Sequence, residues 1–121
     1  MKWGTYPWFE EFGVELIHPD DIEAFRKEVS YGCKVFLCVE EGEYMTLKYN
    51  NNYYRVKEKL FKPKPTPKFV FGQIVRIKSS NAEVKIADIM WHFNKKEHYY
   101  HVLTGNKKKT RRYFESELME I

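Results

Sequence analysis

The feature that most constrains this chain is a two-residue alternation that changes phase once. Phe71, Val75 and Ile77 alternate, the turn "SSNAE" follows, and Val84 and Ile86 then keep one parity. Beyond Ala87-Asp88 the apolar residues change parity to Ile89, Trp91 and Phe93. A period of two is the mark of a half-buried strand. A single phase change predicts a β-bulge, the device that bends a strand in small barrels. The second half of the chain is therefore expected to be a bent antiparallel sheet.

The stretch "FKPKPTPKF" separates this half from the first. Alternating prolines favour extended backbone and remove ladder donors. Residues 62–68 are thus expected to be a linker, between an N-terminal part (1–61) and a C-terminal part (69–121). In the first part, "HPDDIEAFRKEVSYG" predicts a short helix. Pro19 suits its first turn, Asp20 and Asp21 suit the N-terminal end of the dipole, and Ile22, Phe25 and Val29 make one stripe, with Gly32 as the stop. Trp3, Trp8, Phe9 and Phe12 are expected to form an aromatic arm over the body. A three-stranded meander over about 35–40, 43–49 and 53–57 follows, placing Phe36, Cys38, Met45, Leu47, Tyr54 and Val56 on one face. At 121 residues and 17% aromatic, the chain suits a small mainly β fold with one helix, an α+β arrangement rich in large rings.

"YYRVKEKLF" and "TRRYFESELM" end the two halves alike. Aligning Leu60 with Leu118 pairs Val56 with Phe114, and this weak repeat points to a tandem of related halves.

Three of the four histidines lie in "WHFNKKEHYYH". A four-residue loop at Asn94–Glu97 would oppose His92 to Tyr99 and Trp91 to Tyr100. Ile89, Trp91, Phe93, His98, Tyr100 and Val102 then face inward, and Met90, His92, Tyr99 and His101 outward. His92 and His101 would be diagonal neighbours, which is two ligands where zinc needs three or four. No metal or other cofactor is expected. Nor do a Ser/His/Asp spacing, paired carboxylates, a glycine-rich phosphate loop or HExxH appear, so no enzymatic activity is expected. Cys33 and Cys38 are five apart, on opposite faces of a strand and too distant for a disulfide, so both are expected reduced.

A three-residue bulged loop near Gly105-Asn106 would bring Arg111 and Tyr113 to the outer face and Thr110, Arg112 and Phe114 to the core. The candidate partner-binding set is His92, Tyr99, His101, Lys107, Lys108, Lys109, Arg111 and Tyr113. Aromatic rings interleaved with cations suit a protein interface, because Tyr, Trp and Arg dominate interface energies. The run Lys107–Arg112 also fits a nucleic-acid-binding module, with rings for bases and cations for phosphates. The blander alternative is a solvated edge, where lysines block aggregation. Residues 61–121 carry 13 Lys/Arg against 6 Asp/Glu, whereas residues 1–60 carry 8 against 11. The net charge of +4 is modest for a dedicated nucleic-acid binder. With no apolar leader and no apolar run of spanning length, the expectation is a cytoplasmic, soluble protein without membrane contact.

"FVFGQIVRI", "AEVKIADIMWHFN", "HYYHVL" and "RRYFESEL" together resemble the SH3-like barrel pattern of small bacterial proteins. Gly72, Val75, Trp91, Tyr100, Tyr113 and Leu118 take that pattern's places. The whole chain is also similar to uncharacterised bacterial proteins with an "HPDD" helix start before such a barrel. The resemblance covers 69–121 best and 33–61 loosely. It implies an SH3-like fold and a non-enzymatic role as an adaptor or as a binder of protein, peptide or nucleic acid, and it implies no catalytic residues. An inhibitor or immunity-like protein holding a macromolecular partner also fits a chain of this size.

Overall fold

A computed structural model describes residues 2–29 and 32–121. The expected last turn of the helix, at Ser30 and Tyr31, lies outside the described residues. The fold is mainly β, with two antiparallel sheets and one short helix. The chain divides into two units, Met1–Thr66 and Pro67–Ile121.

The sheet of the first unit runs β4-β3-β2-β1-β5, from β1 (Lys2–Thr5), β2 (Val35–Glu40), β3 (Met45–Tyr49), β4 (Asn52–Val56) and β5 (Lys62–Lys64). The meander β2–β4 follows the alternation. Cys38 opposes Leu47, Leu47 opposes Tyr54, and Met45 opposes Val56. All six residues expected on that face are buried.

Two expectations are corrected here. Trp3 is not part of an arm, because it lies in β1, which pairs with both β2 and β5. Of the remaining arm residues, Trp8 is buried while Phe9 and Phe12 stay exposed at 43% and 47%. The proline segment is also not all linker. Pro63 pairs opposite Gly4 in an edge strand, where a missing N–H is tolerated because that side needs no partner. Gly4 has no room for a side chain, since a Cβ there would stand 2.5 Å from the Lys62 carbonyl oxygen and 2.6 Å from the Phe61 ring.

Residues 6–34 form a long excursion between β1 and β2 that carries α1 (Ile22–Glu28). Phe25, fully buried, reaches from α1 to within 5.3–6.1 Å of the rings of Tyr6, Trp8, Phe36 and Tyr54. This aromatic cluster is what the high ring content builds. The same excursion covers the exposed edge of β4. The Lys57 N–H donates to the Leu16 carbonyl at 2.7 Å, and the His18 N–H to that of Arg55 at 2.9 Å. Asp21 caps no helical N–H. Its carboxylate instead accepts from the Arg55 backbone N–H at 2.8 Å and from the guanidinium at 2.9 and 3.1 Å. The "HPDD" stretch thus fastens the helix to the sheet edge, which leaves fewer unpaired strand groups to recruit another chain.

The sheet of the second unit runs β10-β8-β7-β6-β11, from β6 (Ile74–Ile77), β7 (Glu83–His92), β8 (Glu97–Thr104), β10 (Tyr113–Phe114) and β11 (Leu118–Glu120), with β9 (Lys107–Lys108) beside β8. The register of β7 against β8 shifts between Ile86 and Asp88, at the phase change. Tyr100, fully buried, donates to a Glu115 carboxylate oxygen at 2.6 Å, and Phe69 lies 5.5 Å from its ring. Burial, and then the bond to Glu115, push the Tyr100 hydroxyl far above the ordinary phenol range.

Both units trace one path: a meander of four strands (in the second unit β9 and β10, both paired with β8, together take the fourth place), a 3-10 turn (Glu58–Leu60 or Glu115–Glu117), then a last strand antiparallel to the first. The turns align Glu58 with Glu115, so Phe61 matches Leu118 and Val56 matches Tyr113. The repeat proposed from Leu60 and Leu118 is one residue out of step. Among the described residues neither sheet closes into a hydrogen-bonded ring. No described helix is long and apolar enough to cross a membrane.

Candidate functional site: the outer face of the second unit

His92 opposes Glu97, Trp91 opposes His98, Met90 opposes Tyr99, and Asp88 opposes His101. The loop is therefore Phe93–Lys96, one residue earlier than expected. Moving both ends of the loop keeps each pair's parity, so the faces survive the shift. Ile89, Trp91, His98, Tyr100 and Val102 are buried inward, whereas Phe93, now in the turn, is 45% exposed instead of inside. His92 and His101 are not diagonal neighbours. Their cross-strand partners on β7 and β8 place them four rungs apart, about 13 Å along the strand, with the Tyr99 ring 6.2 and 6.0 Å from them. Among the described residues no three His, Cys, Asp or Glu side chains converge as metal ligands would. No disulfide joins Cys33 and Cys38.

The next hairpin reverses an expectation. Thr104 pairs with Lys107 around the two-residue turn Gly105-Asn106, in which Gly105 takes φ +62°. Tyr113 then opposes Tyr100, and Phe114 opposes Tyr99. One residue fewer in the loop turns every later side chain over. Tyr113 is buried inward at 6% exposure rather than facing out, and Phe114 takes its place on the outer face.

The outer face is built around Tyr99 and Phe114, whose rings lie 6.0 Å apart. His92 stands 5.5 Å from Phe114. The Arg112 guanidinium lies over both rings, 5.3 Å from Tyr99 and 5.7 Å from Phe114, and the Lys95 ammonium lies 4.6 Å above Phe114. Cations over aromatic faces are held by the ring quadrupole. These contacts cover Tyr99, which is only 8% exposed although it faces outward. At the far end of the face, the Asp88 carboxylate lies 3.2 Å from His101 Nδ1 and in ion-pair contact with Lys108. Lys107, Lys109 and Arg111 are exposed around the hairpin, and Arg111 lies over Tyr113 while pairing with Glu117 at 2.9 Å.

Of the eight residues expected to bind a partner, His92, Tyr99, His101 and Lys108 share this face. Lys107 and Lys109 flank it, and Arg111 and Tyr113 turn away from it. Arg112, Phe114, Lys95 and Asp88 belong to it and were not expected there. A signal for the first two was present, because Gly-Asn is a favoured two-residue hairpin turn.

The family of unknown function DUF6960 matches residues 1–119. The chain belongs to that family. No curated protein and no solved structure matches it.

Proposed function

We propose that this DUF6960 chain is a non-enzymatic binding protein that holds a partner protein on the outer face of its second unit. The observation that carries this reading is the state of Arg112. The chain has five arginines. Arg26, Arg55, Arg76 and Arg111 each pair with a carboxylate of the chain itself. Arg112 is exposed, rests on two rings, and has no carboxylate in ion-pair reach among the described residues. An arginine fixed by stacking loses little freedom when a partner binds it, and Arg and Tyr are the residue types that carry interface energy. An SH3-like build for each unit is supported by the shared path, with its 3-10 turn ahead of the closing strand.

A photoreactive benzoylphenylalanine at position 93, in the turn beside this face, tests the reading in the source cell. The control position is Tyr53, 56% exposed in the first unit. Protein adducts from position 93 and none from position 53 are expected. Adducts from position 53 alone would overturn the assignment.

A nucleic-acid partner is the second reading. It is favoured by a cavity of about 450 Å³ lined by Thr104, Lys107, Lys108, Lys109 and Thr110. Nuclease-sensitive adducts from position 93 would select it.

A further inference from the structure

Given that binding role, we infer that the Arg112 guanidinium receives a side-chain carboxylate from an acidic segment of the partner protein. The inference rests on which cations of the face are already spent. Lys108 turns to Asp88, whose carboxylate also meets His101 Nδ1, and off the face Arg111 turns to Glu117. Glu97 stands opposite His92 in the same ladder. A phosphate backbone crossing the face would meet these carboxylates, and the exposed Lys107 and Lys109 flank the face instead of lying along it. On the face itself bases would find neither central ring bare, because Arg112 lies over Tyr99 and Phe114 and Lys95 lies over Phe114. What the face does offer is one planar guanidinium held in place, with one ammonium nearby. A guanidinium fork matches a carboxylate with two parallel hydrogen bonds. Phe93, in the same turn as Lys95, adds an exposed apolar contact. The charge fits as well: residues 67–121 carry 11 Lys/Arg and 6 Asp/Glu, so +5, which draws acidic chains by long-range attraction.

Fluorescence anisotropy with a labelled oligo-glutamate peptide, and with a labelled oligothymidylate of equal charge, tests this on the full chain. Oligo-glutamate is expected to bind the more tightly of the two. Arg112→Lys, which keeps the charge but loses the fork and its stacking, is expected to weaken it about tenfold, and Arg112→Ala by at least as much. Lys62→Ala, in the first unit, is expected to change nothing. Circular dichroism of each variant checks the fold. Wild-type affinity in Arg112→Lys, tighter binding of oligothymidylate, or no binding of oligo-glutamate would each overturn the inference. Protein adducts from position 93 would still stand in those cases, so the failure of this step is separable from failure of the binding face itself.

Discussion

Replacing Asp21 with Asn tests how the helix is fastened to the first sheet. The carboxylate is 15% exposed and accepts three hydrogen bonds from Arg55. The Arg55 side chain lowers its pKa from the usual 3.8, with the backbone N–H of Arg55 adding to the effect. Asn retains the oxygen facing the backbone N–H but loses the charge facing the guanidinium. Hydrogen bonds to charged groups contribute about 1.5–3 kcal/mol. Arg55 is 42% exposed, and solvent screening there brings the expected loss down to about 1–2 kcal/mol. For a chain of this size that corresponds to roughly 4–8 °C in Tm. A Trp91→Phe background leaves Trp3 and Trp8, both in the first unit, as the fluorescence probes. The pH dependence follows from the lowered carboxyl. Its contribution is complete above the ordinary carboxylate range, and it is lost as pH falls below 3.8 through the folded-state value. The gap between wild type and Asp21→Asn should be constant from about pH 5 upward and should close below about pH 4. No gap at neutral pH, or one undiminished at about pH 3, would refute the fastening role.

Two further substitutions probe the strands around the cores. Gly4→Ala should cost about 1–3 kcal/mol in a denaturant titration, because the added methyl meets the Lys62 carbonyl and the Phe61 ring; wild-type stability would mean that β5 does not lie against β1 in solution. Tyr100→Phe removes the donor to Glu115 and the acceptor for the buried Phe69 N–H. A loss of about 1.5–3 kcal/mol is expected in the transition reported by Trp91, and a change under about 0.5 kcal/mol would contradict that bonding.

How much was legible in the sequence follows from what local pattern encodes. The meander and the bulge at Ile86–Asp88 were readable because alternation records which face is buried. β1 escaped because "KWGT" carries no alternation of its own. It becomes a strand through partners on both sides, one of them more than fifty residues away in sequence. β5 escaped because proline usually argues against a strand, and only the edge position makes Pro63 compatible with one. At the candidate site the faces of β7 and β8 were recovered despite a wrong loop, since the error kept parity. The faces of Arg112, Tyr113 and Phe114 were lost because a hairpin shorter by one residue does not. The Arg112 stack was invisible for the same reason. Its two rings come from β8 and β10, and only the register brings them under one guanidinium.

The most direct test of the central claim is the map of backbone amide shifts when the protein partner, recovered through position-93 adducts, is titrated into the labelled chain. Shifts centred on His92, Lys95, Tyr99, Arg112 and Phe114 are predicted, and their loss in Arg112→Ala. Shifts confined to the first unit, around Phe9, Phe12 or Tyr53, would contradict it.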